Sequence, residues 1–346
     1  MTTGAVISGF GMAVPPAVRQ EELWSGFFRD HYAGAGQVLA QRIFANAGVV
    51  TRHAAVSPLL EDVSGWPTAR RMQRYLTEAM PLGKEAVGGA LAGAGVGPDQ
   101  VGLLVVCSCT GYVTPGLDIL LARDLGLAAD CQRLFVGHMG CYAALPGLAS
   151  AANYVTVHQR PAVLLCAELA SLHLQAPTVE TGQMVAHALF SDAAAAVVVT
   201  PGAAAGYRVL RVGSLTDPST ADHMTWDVTD LGFRMGLSPR VPDVLADHVA
   251  GFVADLLAGA GLDPAEVDGW AVHPGGPHIL DVVQRELALP DPALAVSRGV
   301  LSAHGNCSSP TVLLIVDELR RLGRQRVVAM AFGPGLTLYA VVLSAV

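Results

Sequence analysis

Charge is scarce in this sequence. Only 14% of its 346 residues are Asp, Glu, Lys or Arg, against 52% that are hydrophobic. That balance argues against disorder and fits a compact enzyme or an oligomer with much buried surface. The net charge of −8 argues against non-specific binding to nucleic acid. Cysteine is also sparse: six residues lie scattered, with no paired framework. Reduced thiols and a cytoplasmic setting are expected from that pattern. Long apolar runs are missing too. None reaches about 18 residues without a charge or a proline, so no membrane span is expected. The opening Met1-Thr-Thr-Gly-Ala5 has no basic segment, and no secretory leader is expected from it.

What is present is alternation of strands and helices. Ala5 to Gly11 reads as a strand, Val18 to Ala47 as mostly helix broken at Gly34-Ala-Gly36, and Thr68 to Leu91 as a helix interrupted at Pro81. Gly9-Phe-Gly11 invites a dinucleotide-loop reading. It fails, because no third glycine follows in time and Pro15-Pro16 stops a helix from opening there. Val101 to Cys107 is a buried strand, followed by the loop Cys109 to Pro115 and a helix from Gly116 to Leu125. Strands follow at Arg133 to Val136, Ala162 to Ala167 and Ala193 to Thr200, with a polar loop at Gln175 to Gln183.

Pro201-Gly-Ala-Ala-Ala-Gly206 is the clearest punctuation, and it divides the chain into residues 1–203 and 204–346. The second part reads as strands at Tyr207 to Leu215, Val267 to Val272, Arg326 to Phe332 and Leu336 to Ser344. Helices lie at Pro242 to Ala260, Pro277 to Leu287 and Ser308 to Leu322. Element order repeats between the halves although residues barely do, which predicts two similar layered α/β units rather than one Rossmann domain.

The chemistry centres on Val136-Gly-His-Met-Gly-Cys-Tyr-Ala-Ala-Leu-Pro-Gly-Leu148. A strand leads through small residues to Cys141 and an Ala-rich helix. A thiol at a helix N-terminus meets unpaired backbone N–H groups and the positive end of the dipole, which favour a thiolate. Ala271-Val-His-Pro-Gly-Gly-Pro277 and His304-Gly-Asn-Cys-Ser-Ser-Pro310 supply His273 and Asn306 as partners. His273 is expected to hold the thiolate as an ion pair, and His273 with Asn306 to donate hydrogen bonds to a thioester oxygen. Cys131, Cys166 and Cys307 read as core, and His138 as packing rather than catalytic. Arg70-Arg71-Met-Gln-Arg74 and Arg320 to Arg326 read as solvated helix faces. Cys107-x-Cys109 is too isolated for a metal site, and no metal is expected.

Together, Gly140-Cys141, the His-Pro-Gly-Gly-Pro run, Gly-Asn-Cys-Ser-Ser and Phe332-Gly-Pro-Gly-Leu-Thr337 resemble the type III polyketide synthases, the chalcone synthase-like branch of the thiolase superfamily. The form around Cys141 is similar to actinobacterial, alkylpyrone-type members. The resemblance implies a thiolase-like αβαβα fold of two similar halves, the first carrying the nucleophile and the second the His and Asn. It implies a cytoplasmic homodimer with no cofactor beyond its CoA thioester substrates. The activity it implies is repeated decarboxylative condensation of malonyl-CoA, or an alkylmalonyl-CoA, onto an acyl-CoA primer held on Cys141. Cyclisation would follow, to a pyrone, resorcinol or phloroglucinol-type product.

By the same resemblance Phe190 matches a gatekeeper, and Phe233 or Met235 the second. Cys109, Thr110, Thr114, Ala170, Leu172, His173 and Ser308 match cavity-lining positions. Gly333, Pro334 and Gly335 match the turn at the cavity floor, and Arg42 a CoA-tunnel residue, while Asn46 stands where the plant pattern has a lysine. The small residues Cys109 and Ala170 predict room for an aliphatic primer unless a bulky neighbour refills it. The rival readings are a β-ketoacyl-ACP synthase III-like enzyme making one condensation on an acyl carrier protein, a non-condensing acyltransferase, and an inactive binding subunit.

Overall fold

The computed structural model describes residues 4–34 and 36–346. Ala35, in the expected helix break, lies outside them. In the first half the strands are β1 (Ala5–Ala13), β2 (Ala17–Arg19), β3 (Thr51–His53), β4 (Leu103–Ser108), β5 (Gln132–Gly137), β6 (Ala162–Leu169) and β7 (Asp192–Pro201). The second half holds β8 (Tyr207–Thr216), β9 (Met224–Thr229), β10 (Gly232–Leu237), β11 (Gly269–Val272), β12 (Arg326–Gly333) and β13 (Thr337–Ala345). The helices that matter here are α1 (Gln37–Ala45), α2 (Thr68–Ala94), α3 (Leu117–Leu125), α4 (Ala144–His158), α5 (Thr181–Leu189), α6 (Val241–Ala260), α7 (Pro277–Glu286), α8 (Ala295–His304) and α9 (Pro310–Arg321).

Nine strands form one sheet in the order β11-β12-β13-β8-β1-β7-β6-β4-β5. The order is a repeat. In the first half β4 lies parallel to β6, β6 antiparallel to β7, and β7 antiparallel to β1. In the second half β11 lies parallel to β12, β12 antiparallel to β13, and β13 antiparallel to β8. The two sub-sheets meet where Val6 and Ile7 of β1 pair with Arg208 and Tyr207 of β8. Only the first half adds a further strand, β5, parallel to β4 at the edge.

Three apolar clusters fill the spaces between layers. Ala79, Ala86, Val87 and Ala90 of α2 pack on one face of the first sub-sheet. Leu145, Leu148 and Val155 of α4 and Val312, Ile315 and Val316 of α9 lie between the two sub-sheets. Leu245, Val249 and Leu256 of α6 cover the far face of the second. The layers therefore run αβαβα. Strands β4 and β6 are buried along their whole length, which is why they read as unbroken apolar runs.

Two sequence expectations change here. Helix α2 continues through Pro81 instead of stopping. Pro81 sits on the exposed side, where the carbonyl it leaves unpaired meets water, while buried Ala79, Gly83 and Ala86 hold the helix to the sheet. The polar stretch at Gln175 to Gln183 is loop only to Glu180, since α5 begins at Thr181. The hairpin β9–β10 and helix α8 were not read from the sequence at all.

Gly9 and Gly11 have a packing role. A Cβ on Gly9 would overlap the Ala90 carbonyl oxygen, and one on Gly11 the Ala86 carbonyl oxygen, so β1 lies directly on the backbone of α2. Gly88, exposed on the same helix, has open space around it. Gly11→Ala is therefore expected to cost more than about 3 kcal/mol or to prevent folding. Gly88→Ala should instead stabilise the protein by up to about 1 kcal/mol. Urea denaturation of the two variants measures both, and equal midpoints would show that the strand–helix contact is not tight.

Candidate active site

Cys141 sits in a 3₁₀ turn, Gly140–Tyr142, between β5 and α4. Gly140 makes the turn possible with φ of 71°. The loop between β12 and β13 props it from below. A Cβ on Gly140 would come within 3.1 Å of the Pro334 ring, and one on Gly333 within 2.6 Å of the Tyr142 ring. Of the six cysteines, Cys141 alone is partly accessible, and the other five are buried. Burial of Cys131, Cys166 and Cys307 matches their reading as core.

His273 follows β11 and is fixed by its own N–H, which donates to the Met330 carbonyl at 2.8 Å. The residue is 1% exposed, and neither ring nitrogen has a hydrogen-bond partner among the described residues. Asn306 forms an isolated bridge with Phe190 at the C-terminus of α5. Its N–H donates to the Leu189 carbonyl at 2.8 Å and its carbonyl accepts from the Ser191 N–H at 2.9 Å. The Ser308 N–H donates to Asn306 Oδ1 at 2.8 Å, which turns the amide NH2 away from that loop.

Cys141, His273 and Asn306 line one cavity of about 820 Å³, with Phe190 and Met235 in the same wall. Its mouth is formed by Ile43, Asn46, Glu180, Ser238 and His278. A second chamber of about 60 Å³ lies beyond, lined by Phe28, Arg52, Ala170, His173 and Trp226. Gln183, Ala186 and Phe190 of the α5 segment belong to both walls, so Phe190 stands between the two spaces.

His273 makes no hydrogen bond to Cys141 Sγ among the described residues. Burial pushes the Cys141 thiol up to about 11, although the Ser308 and Asn306 side chains pull it back in part. Burial pushes His273 down to about 3. In this site burial disfavours the charged form of each group, and for the thiolate it works against the helix end. Close by, Glu168 is fully buried and raised to about 7 by desolvation. It accepts from the Cys109 N–H at 3.0 Å, Thr110 Oγ1 at 2.7 Å and Ser309 Oγ at 2.9 Å.

The other residues matched by resemblance divide. Met235 lines the large cavity, whereas Phe233 is 2% exposed and stacks on His173 at 4.5 Å behind it. Ala170 and His173 line the small chamber. Cys109, Thr110 and Leu172 are buried in the wall and border neither space. Cys109 lies under the Trp226 indole, whose Nε1–H donates to its carbonyl at 2.8 Å. Thr110 is tied to Glu168 and the Leu169 N–H. Leu172 packs in the α2 core. Thr114 is exposed on the loop before α3. Ser308 lies 3.8 Å from the Cys109 sulfur and against the Cys141 thiol. Gly333 and Pro334 pack on the Cys141 turn, Gly335 lies against Thr337 and Thr216, and none of the three lines the cavity.

The room expected at Cys109 and Ala170 for an aliphatic primer is taken by Trp226, which the sequence reading missed. Its ring stands edge-on to Phe190 at 6.2 Å and to His173 at 5.5 Å. Arg42 is exposed on α1, one turn from Asn46 at the mouth. Arg71, expected on a solvated face, is fully buried and donates to the carbonyls of Trp66, Leu172 and Leu174. His187 is buried and bonded to Tyr32 at 2.6 Å.

Comparison with known proteins agrees with this geometry. The chalcone and stilbene synthase N-terminal domain model matches residues 2–203, and the C-terminal domain model matches residues 215–346. A 1,3,6,8-tetrahydroxynaphthalene synthase of Streptomyces peucetius is 36% identical, with 90% of this chain and 84% of that protein aligned. An alpha-pyrone synthesis polyketide synthase-like protein of Mycobacterium tuberculosis is 31% identical, over 97% of this chain and 90% of its own. Among solved structures, the type III polyketide synthase domain of a Dictyostelium type I/III hybrid superposes with a TM-score of 0.94 at 26% identity. It covers 99% of both chains. The chain therefore belongs to the chalcone and stilbene synthase family, the type III polyketide synthases. It is an enzyme of acyl transfer and condensation on a thiolase-like fold.

A thiol raised by burial has a measurable consequence. Alkylation of Cys141 by iodoacetamide should keep accelerating as pH rises from 7 through 9, since the thiolate fraction grows up to a pKa of about 11. A rate that is flat between pH 6 and 8 would mean a preformed ion pair. Mass spectrometry of the labelled peptide gives the rate.

Proposed function

We propose that this enzyme primes Cys141 with an acyl-CoA and extends the chain by iterative decarboxylative condensation of malonyl-CoA. The observation that carries this reading is the single cavity lined by Cys141, His273, Asn306 and Phe190. His273, which has no hydrogen-bond partner among the described residues, takes the thiol proton as Cys141 Sγ attacks the primer thioester. The C–S bond to CoA breaks, the CoA thiolate takes the proton from His273 and leaves as the free thiol, and the acyl group stays on Cys141. Malonyl-CoA then places its thioester oxygen against His273 and the Asn306 NH2. Those donors stabilise the enolate left by loss of CO2. The enolate carbon attacks the Cys141 thioester, and its C–S bond breaks to free Cys141 as the thiolate and leave the chain, two carbons longer, on CoA, from which it returns to Cys141 for the next round. CoA thioesters supply both the leaving group and the carbanion, so no metal or redox cofactor enters the scheme.

The extended chain cyclises to a pyrone, resorcinol or phloroglucinol-type product. Alkylmalonyl-CoA extenders, and a single condensation on an acyl carrier protein, are the other readings the same triad supports. For CoA, Arg42, one turn from Asn46 at the mouth, and Arg240, between the cavity-lining Pro239 and Val241, are cations near the entrance. The one lysine in the sequence, Lys84, is paired with Asp124 at 3.2 Å. No helix among the described residues is long and apolar enough to cross a membrane, and a cytoplasmic location goes with the reduced thiols. Residues 1–203 would act as the nucleophile-bearing half and 204–346 as the half that carries His273 and Asn306.

The product test uses purified protein, malonyl-CoA and a panel of acyl-CoAs, with mass spectrometry as readout. Cyclic tri- or tetraketides that vanish in Cys141→Ala are expected. A single-condensation product, formed only with carrier protein, would favour the synthase III-like reading. Trp226→Ala should open the small chamber and shift the products towards longer chains or larger primers, and an unchanged spectrum would remove Trp226 as a limit.

The homodimer has its own support. Strand β5 leaves an open sheet edge, and Leu134, Phe135 and Met139 are exposed along it just before the Cys141 turn. An unprotected apolar edge of this kind suits pairing with a second copy. Light scattering after gel filtration should give a dimer for the native chain and a monomer for Phe135→Glu. A monomeric native chain would overturn the assignment.

A further inference from the structure

The segments that meet at Asn306 and Phe190 are gripped together by one buried residue of β3, His53. Its N–H donates to Ser191 Oγ at 2.8 Å, and its carbonyl accepts from the same hydroxyl at 3.2 Å. Its ring lies between Pro15 and His304. Nδ1 is 2.9 Å from the Pro15 carbonyl oxygen, and Nε2 is 3.0 Å from His304 Nδ1. Ser191 follows Phe190, while His304 ends α8 just before Gly305 and Asn306. His53 therefore holds the α5 side by its backbone and the Asn306 side by its ring. Gly305 sits in the joint, where a Cβ would come within 3.0 Å of the Ser191 Cβ.

The proton positions follow from the partners. A carbonyl oxygen only accepts, so His53 Nδ1 carries a proton, and in the neutral ring Nε2 is the acceptor. His304 Nδ1–H is then the donor, and His304 Nε2 is bare. The pair can take one further proton, at His304 Nε2, and keep its hydrogen bond. A second has only His53 Nε2 to occupy, which sets N–H against N–H and charge against charge. Burial lowers both rings, and His53 lowers His304 further, so the second protonation belongs below the ordinary histidine value of about 6.5. The charged groups of the surrounding elements are mostly engaged. Arg52, next on β3, donates to the Phe190 carbonyl, and Asp192 of β7 accepts from Ala55 and Ser171. On α9 Asp317 is paired with Arg320 and Arg321, and Glu318 with Arg321. Arg298 of α8 is paired with Asp281 of α7, and Arg19 of β2 is exposed opposite Thr51.

We infer that the His53–His304 pair is a positioning element that fixes the loop carrying Asn306, so that its amide meets the malonyl thioester oxygen, and that it releases the loop when both rings are protonated. This deepens the synthase reading and rests on it. His304 borders neither cavity, so it acts through Asn306.

The test is CO2 release from malonyl-CoA by the full-length protein, with kcat and KM followed from pH 8 down to about 4.5. His304→Phe keeps a ring to stack on His53, as the native rings do at 5.1 Å, and removes the donor. Its kcat should fall about tenfold at pH 8, with KM within about threefold. In an Asn306→Ala background the same change should cost less than about twofold, because no amide is left to place. His304→Asn offers an NH2 to neutral His53 Nε2 or, turned over, an oxygen to the protonated ring. It should keep kcat within about threefold at pH 8, and its rate relative to native should rise about threefold or more by pH 4.5. Asp192 and Glu168, whose carboxyls burial raises, titrate in both proteins and cancel in that ratio. Equal losses from His304→Phe with and without the Asn306 amide would overturn the inference, and so would an Asn-to-native ratio that does not change with pH. A native protein that releases no CO2 would overturn the synthase reading, and the inference with it.

Discussion

The site depends on a pair of backbone hydrogen bonds. Asn306 N–H to Leu189 O and Ser191 N–H to Asn306 O join the loop after α8 to the end of α5. Those segments come from different halves of the chain. Without the bridge, neither the Asn306 amide nor Phe190 would have a fixed place relative to Cys141. Strand β3 locks it from outside: the His53 N–H donates to Ser191 Oγ at 2.8 Å, and Arg52 holds the Phe190 carbonyl. Gly305 closes the joint, since a Cβ there would come within 3.0 Å of the Leu189 carbonyl and 3.2 Å of the Arg52 Cβ, and its φ of 71° suits glycine. The bridge turns two structurally similar halves into one cavity with unlike sides.

Burial then decides the chemistry. The same enclosure that excludes water from an acyl-enzyme also raises Cys141 and lowers His273, so burial works against charging either group before substrate arrives. Glu168 extends this logic into the wall. Desolvation raises its carboxyl to about 7, while Thr110 and Ser309 hydrogen bonds limit the rise. A carboxyl held near neutrality ties β4, β6 and the Ser308-Ser309 loop together from behind the thiol.

Much of this was legible in the sequence, for identifiable reasons. Strands β4, β6 and β7 are buried on both faces, so their apolar runs were plain. Hairpin β9–β10 was not, because its residues are half-exposed and alternate weakly. Helix α5 was partly hidden because its first turn, Thr181-Gly-Gln183, reads as loop. Cys141, His273 and Asn306 stood out because each lies in a short motif of glycine, proline and small residues. Cavity neighbours fared less well. Whether a side chain at Cys109 or Leu172 reaches the cavity depends on rotation about the strand or turn and on what overlies it. Trp226 overlies Cys109, and no local pattern announces that. Gln183 had a signal that could have been used: a lone amide three residues before Ala186 and seven before Phe190 on an otherwise apolar helical face.

The turn at Gly333-Pro-Gly335 belongs to the second half, yet it supports the nucleophile's turn in the first. Gly140 faces the Pro334 ring, and Gly333 faces the Tyr142 ring. Each glycine is the space that its partner's ring occupies. The two halves are thus not interchangeable parts, despite their shared strand order. A change in one turn is constrained by the shape of the other, and inheritance acts on the pair. Recombination between relatives would keep the fold at the punctuation after β7, but it would keep a well-aimed thiol only when both turns came from the same parent.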